Sequence, residues 1–277
     1  MRSKNIRMDE QDSVYLIIHA DDIGMCHSVN RTTMEAYERG VVSSGSLMVP
    51  CPWFLEAAEY FQKHPEFDVG IHVTLTSEWK LYRWPPVASK NEVSGLIDNE
   101  GLMFHTSREV AEHATVKEVE TEIRAQIERA LKFGIQPTHL DTHMGTVHFK
   151  PEFLEVYVKL AEEFRIPVLL HGGPPELVEK ASNLVQKMPR VVGISNVKNF
   201  DERKSEYIKM LKNLKPGVYE VILHLGGEDE EIKAIIGEDA NLRHEDFLIF
   251  NDKKLRHVIQ TLDLKLIGWR DLKRPQL

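Results

Sequence analysis

The sequence predicts an α/β protein, a (β/α) barrel of about seven parallel strands. Short β-branched apolar runs alternate with amphipathic stretches of helical period along most of its length. That is the pattern of strand-then-helix units that builds a parallel sheet. Polar residues close many separate strands instead of gathering at one switch point, which favours a barrel over a doubly wound sheet. The 277 residues suit one large α/β domain, expected to span residues 1–277 with a long insertion at about 76–115.

The elements follow in chain order. Val14 to Ile18 is a short buried strand that runs into His19, Ala20, Asp21 and Asp22. Ser28 opens a helix with Val29, Thr33, Ala36 and Tyr37 on one face, and Gly40 closes it. A strand at Ser44 to Val49, a helix from Trp53 to about Gln62 and a strand from Asp68 to Leu75 repeat the unit. Between Thr76 and Thr115 the pattern breaks around Trp79, Tyr82, Trp84, Pro85 and Pro86, and loops this long in a domain are usually functional or disordered. A strong helix, Val116 to Phe133, stops at Gly134 and leads to a strand at Thr138 to Thr142. Pro151 starts the next helix, which runs to about Phe164, and a strand at Pro167 to Leu170 ends at His171. Further helices are expected over Glu176 to Lys187, Glu202 to Leu214, Ala240 to Phe250 and Lys253 to Leu262. The remaining strands are a weak one at Val191 to Ile194, a strong one at Val218 to Leu223 ending at His224, and a last one at Leu264 to Ile267.

Composition excludes several classes of function. Apolar residues make up 42% and charged residues 28%, which argues against disorder and coiled coils. The 35 basic and 43 acidic side chains leave a net charge of -8, so phosphate-backbone contact is a poor source of affinity and no nucleic-acid partner is expected. Cys26 and Cys51 are the two cysteines, too few for a disulfide framework, and they are expected as small buried residues in a reducing compartment. The N-terminal MRSKNIRMDEQDS has no apolar core of a signal peptide, and no stretch approaches the length of a membrane span. A cytoplasmic protein without a membrane partner is expected, its oligomeric state left open.

The chemistry concentrates at strand ends. Of the thirteen histidines, His19, His72, His171 and His224 lie at or just beyond them, and His139, His143 and His148 cluster around another. In a parallel barrel these ends share one face, so a single polar pocket is predicted. In an extended chain His139, Asp141 and His143 point to one side. Two imidazoles and a carboxylate there suit a divalent metal with an open position for water, the alternative for one of the three histidines being a supporting hydrogen-bond group.

Adjacent carboxylates at Asp21 and Asp22 repel unless a cation lies beside them, the alternative being two solvated loop acids or a helix cap. Consecutive residues of an extended strand face opposite ways, which suits one binding metal and the other handling a proton. His72 and His224 each sit among apolar neighbours, where the residues alone leave core packing and metal or catalytic roles evenly balanced. Trp79, Tyr82 and Trp84 read as a sugar-stacking platform or as packing of the long loop, and the charges along Lys117 to Arg129 as a solvated helix face.

Three blocks, His19-Ala-Asp21-Asp22-Ile-Gly24, Gly70-Ile-His72-Val-Thr-Leu75 and Pro137-Thr-His139-Leu-Asp141-Thr-His143, together resemble the YdjC family of carbohydrate deacetylases, which includes chito-oligosaccharide deacetylases. The resemblance is specific from about Val14 to Pro151 and extends more weakly to Glu220-Val-Ile-Leu-His224. It implies a distorted (β/α) barrel related to that of the polysaccharide deacetylases, and removal of acetyl groups from N-acetylated sugars with one divalent metal ion, Zn²⁺ or Mg²⁺. By the same resemblance Asp22, His72 and His143 are the metal ligands, Asp21 the general base and His224 the general acid. The chain departs from the chito-oligosaccharide members, which commonly carry a run of histidines here, at His143-Met-Gly-Thr-Val-His148-Phe-Lys-Pro151. That changes the wall beside the expected metal, and with it the sugar accommodated.

The expected function is therefore metal-dependent hydrolysis of the acetamide of an N-acetylated sugar. A metal-dependent phosphoesterase is the alternative enzyme, with Arg31 and Arg83 as its candidate phosphate contacts but no phosphate-cradling glycine loop. A non-catalytic sugar-binding protein on the same barrel is the third reading.

Overall fold

The chain builds a parallel sheet from β1 (Val14–Ile23), β2 (Ser44–Leu47), β3 (Gly70–Val73), β4 (Leu140–Thr142), β5 (Arg190–Val192), β6 (Gly217–Leu223) and β7 (Lys265–Leu266). The structure is a computed structural model that describes residues 12–273 except 171, 196 and 198. The strand order is β4-β3-β2-β1-β6-β5. β1 organises it: β6 pairs along one edge from Val14 to Ala20, while β7 at Tyr15 and Leu16 and then β2 from His19 to Ile23 share the other. Its run of β-branched and aromatic residues is buried on both faces, as a central parallel strand requires.

The sheet is strongly curled. β1 and β4 stand three strands apart, which in a flat sheet is about 14 Å. Yet the ring of His19 on β1 lies 4.9 Å from that of His139, just before β4. Gly70 permits this approach, because a Cβ there would lie 2.5 Å from the His139 carbonyl oxygen. Leu140 also bridges Val168 beyond β4. Among the described residues no ladder joins that edge to β5, so the barrel is distorted and open.

The helices are α1 (His27–Arg39), α2 (Phe54–Lys63), α3 (Ser107–His113), α4 (Val116–Lys132), α5 (Pro151–Phe164), α6 (Pro175–Asn183), α7 (Phe200–Lys212), α8 (Glu230–Ile236), α9 (Asp239–Phe250), α10 (Lys253–Thr261) and α11 (Trp269–Leu272). α4 shows how sequence sets them: Thr115 and Glu118 form a capping box, and Val119, Ile123, Ile127 and Ala130 make the buried stripe. Each fully buried valine or isoleucine of the stripe contributes roughly 1.5–3 kcal/mol.

Three expectations needed correction. The strand at Pro167 to Leu170 reduces to the single bridge at Val168, followed by Gly172 and Gly173 with φ of 78° and 133°, and His171 lies outside the described residues. The helix expected to reach Lys187 ends at Asn183, because Val185 bridges Lys273 and the Gln186 amide donates to the Leu272 carbonyl. Residues 76–115 are not a structureless loop. They contain a 3₁₀ turn at Ser94–Leu96 and α3, and the Val87 and Ala88 amides donate to the Glu122 carboxylate on α4.

Candidate active site

At the end of β1 the chain leaves regular alternation. Asp22 has φ of 64°, and its strand's register with β2 shifts between Ala20 and Ile23, forming a bulge. Asp tolerates this left-handed conformation at a cost on the order of 1 kcal/mol. The bulge overturns the expectation that the two acids face opposite ways. Asp21 Oδ2 lies 3.8 Å and Asp22 Oδ1 3.5 Å from the same atom, His72 Nε2.

His72 on β3, Asp22 on β1 and His143, directly after β4, meet there and are all buried. His143 Nδ1 lies 3.3 Å from Asp22 Oδ1, and the three donor atoms fall within 4.8 Å of one another. After His143 the chain turns away through Met144 and Gly145 with φ of 55° and 61°. The outer nitrogens are engaged: His72 Nδ1 lies 2.8 Å from Asp141 Oδ1, and His143 Nε2 lies 3.0 Å from both Glu78 oxygens. Donating these protons leaves the lone pairs of His72 Nε2 and His143 Nδ1 directed inward, beside an Asp22 Oδ1 that is buried without a hydrogen bond.

Two imidazoles, each held by an outer carboxylate and neutral once a cation displaces the inner proton, and one orphaned carboxylate oxygen fit a divalent cation. Burial alone would raise the Asp22 carboxyl, but Arg243, whose guanidinium donates to Oδ2 at 2.7 Å, and the two histidines hold it well below the usual carboxylate range. Burial would lower His143, yet Asp22 and Glu78 raise it to about 9, and His72 is raised likewise by Asp141 and Asp21, so without a cation protons take up the charge that a cation would hold. This surplus of negative charge is what a cation would balance. His19/His139/Asp141 and Asp21/His72/Asp141 also cluster. There, however, Asp141 already accepts from His72 and from Ser46.

The general-base and general-acid candidates stand beside the trio. Asp21 Oδ1 lies 3.1 Å from His19 Nε2, and its Oδ2 lies 3.7 Å from Nε2 of His224, exposed at the end of β6. His19 is not at a strand end as expected but inside the barrel on β1, within 3.1 Å of Asp141 and 3.3 Å of Glu220. Below it Glu220 accepts from Trp269 Nε1 at 2.8 Å, and His139 stacks on Trp269 with ring centroids 4.9 Å apart. His139, Asp141 and His143 thus share the interior side at three levels, and of these only His143 joins Asp22. His148 follows in the 3₁₀ segment His143–Phe149, outside these clusters.

Glu78 and Arg243 were not anticipated. Their partners lie 65 and 221 residues away in sequence, so no local spacing signals them. Trp84 is fully buried and serves as packing, while Trp79 and Tyr82 are half-buried against the cluster that contains Met25, Cys26, Met48 and Cys51. Both cysteines are buried, and burial pushes the Cys26 thiol up to about 12. Arg31 pairs with Asp229 at 3.1 Å and Arg83 with Asp98 at 2.7 Å, which leaves neither directed at the centre as a phosphate contact.

Comparison with known proteins places the chain in a family and recovers its fold. The profile of the family described as YdjC-like protein matches residues 15–261. A carbohydrate deacetylase of Thermus thermophilus is 31% identical over 268 residues, covering 92% of each chain. A crystal structure of an Enterococcus faecalis V583 protein named for cellobiose-phosphate cleavage superposes with a TM-score of 0.80 at 24% identity, covering 95% of this chain and 100% of that one. The Xyl-CE4 domain of a xylanase from the hindgut metagenome of Trinervitermes trinervoides shares the fold more distantly, with a TM-score of 0.50 at 8% identity over 93% of this chain and 88% of that one.

Proposed function

This chain belongs to the YdjC-like protein family, and on that premise we propose that it is a metal-dependent carbohydrate deacetylase that hydrolyses the acetamide of an N-acetylated sugar to acetate and a free amino sugar. The observation that carries the reading is the convergence of Asp22, His72 and His143 beside Asp21. Asp22 Oδ1, His72 Nε2 and His143 Nδ1 would hold Zn²⁺ or Mg²⁺. Bound there, the cation supplies Lewis acidity to a water and to the acetamide carbonyl.

Asp21 acts as general base through Oδ2, because His19 stands 3.1 Å from Oδ1 and leaves Oδ2 on the side of His72 and His224. His224 is placed to deliver a proton to the departing amine. Asp141 and Glu78 keep His72 and His143 in the tautomers that turn lone pairs inward. Burial of the inner groups excludes bulk water, which strengthens each of these interactions.

The protein is proposed to work in the cytoplasm as one catalytic barrel, with residues 76–115 supplying the fold's cover over α4. Among the described residues no helix is long and apolar enough to cross a membrane. Incubation with a panel of N-acetylated mono- and oligosaccharides tests the reading: equal amounts of acetate and free amine are expected. Release of inorganic phosphate from sugar phosphates, with no acetate from any N-acetylated sugar, would overturn it.

A further inference from the structure

We infer that the cleft between the residues following β5 and one face of α9 holds the amino-sugar ring of the substrate, with the acetyl group on the opposite side of the centre. The inference rests on the deacetylase reading above and assigns the direction from which the sugar enters. In acetamide hydrolysis the C–N bond breaks, water's oxygen bonds to the acyl carbon, and the nitrogen leaves with the sugar after gaining a proton. If His224 gives that proton, the nitrogen and the ring that carries it must lie on the His224 side.

A cleft of about 350 Å³ opens there, with His224 and Arg243 among its lining residues. That volume is at the small end of small-molecule sites, which run from roughly 300 Å³ upward. Asp239, Leu242, Arg243 and Asp246 all line it, and their spacing of i, i+3, i+4 and i+7 is one face of α9. The helix is gripped at two points along this face. Arg243 holds Asp22 Oδ2 at 2.7 Å, and Asp246 makes two 2.7 Å bonds with buried Arg203 on α7. The wall is therefore fixed relative to the catalytic groups, as precise placement of a scissile bond demands.

The chemistry of the cleft suits a sugar. Both arginines in its lining are already paired with carboxylates, so neither is a free anion site. Leu242 and Ile194 offer apolar contact for a ring face, and exposed Asp239 offers acceptor oxygens for hydroxyl groups. Opposite α9, Gly193 is exposed, and a Cβ there meets no atom within 4 Å.

Two variants test the assignment: Gly193→Trp, which fills the cleft, and Asp239→Ala, which removes its acceptor. Steady-state acetate release from the N-acetylated sugar of that panel which the wild type deacetylates fastest gives kcat and KM, alongside metal content and thermal melting. Each variant is expected to raise KM by about tenfold or more, with a smaller effect on kcat and unchanged metal content. Inhibition by the product amino sugar should weaken in parallel, while inhibition by acetate stays as in the wild type. Unaltered KM and product inhibition in both folded variants, with an active wild type, would overturn the cleft assignment alone. Absence of acetate release by the wild type from any N-acetylated sugar would overturn the deacetylase reading and this inference with it.

Discussion

His72 and Asp141 are neighbours on adjacent parallel strands, and the imidazole Nδ1 lies 2.8 Å from the carboxylate Oδ1. One side of the ring is thereby fixed, and its Nε2 is turned toward Asp22. Asp141 is itself held by Ser46 at 2.8 Å, so the orientation of His72 is built into the sheet.

Replacing Asp141 by Asn keeps an oxygen near His72 but removes the charge that favours the donating tautomer. Metal affinity, measured by competition with a chromogenic chelator, is expected to fall about 10- to 100-fold with the fold retained. Wild-type affinity in Asp141→Asn would show that the pair does not support a metal site.

Asp21 is assigned to proton transfer, so Asp21→Asn separates chemistry from metal binding. Its kcat for acetate release is expected to drop about 10²- to 10⁴-fold while metal content stays near that of the wild type. Near-normal turnover would remove Asp21 from the role of base.

Glu78 approaches His143 with both oxygens at 3.0 Å. Glu78→Ala should weaken metal binding by about tenfold or more, and Glu78→Gln, which retains an acceptor, by less. Equal affinities in both variants and the wild type, read by the same chelator competition, would reduce the contact to loop packing.

Glu220, which touches His19 but none of the three proposed metal ligands, provides a pH test. Burial pushes its carboxyl from 4.5 up to about 7, against the pull of His19. The folded state thus holds this proton more tightly than the unfolded chain does. The penalty of an ionised Glu220 is absent below 4.5, grows as pH rises, and is complete above about 7. Glu220→Gln keeps an acceptor for Trp269 and removes the charge. Its melting temperature relative to wild type should therefore rise between about pH 5 and pH 8, toward a stability gain on the order of 3 kcal/mol. A difference that does not change with pH would contradict the assignment.

The periodic parts of this fold are legible in the sequence, and the distant contacts are not. α5 begins at Pro151 and ends at Phe164 as its pattern predicts, because a first-turn proline and a continuous apolar stripe define it locally. α3 was legible in principle from its Thr106 and Glu109 capping box, but it lies in a segment that the prolines and tryptophans mark as irregular. The motif blocks singled out Asp22, His72 and His143, which the fold brings together. The bulge at Asp22 has no local signature, since it depends on how β1 registers with β2. The interior position of His19 was hidden because β1 continues through the polar residues that look like a strand end. Arg243 reaches Asp22 only through the packing of α9.

Asp22, His72, His143 and Asp21 together are assigned a metal-dependent deacetylation. It is tested most directly by acetate release from N-acetylated mono- and oligosaccharides, using protein stripped of metal and reloaded separately with zinc, magnesium, manganese or cobalt. Stripped protein is expected to release no acetate, at least one of the ions to restore release, and His143→Ala to lose that recovery. Release that persists without metal, or in His143→Ala at the wild-type rate, would contradict it.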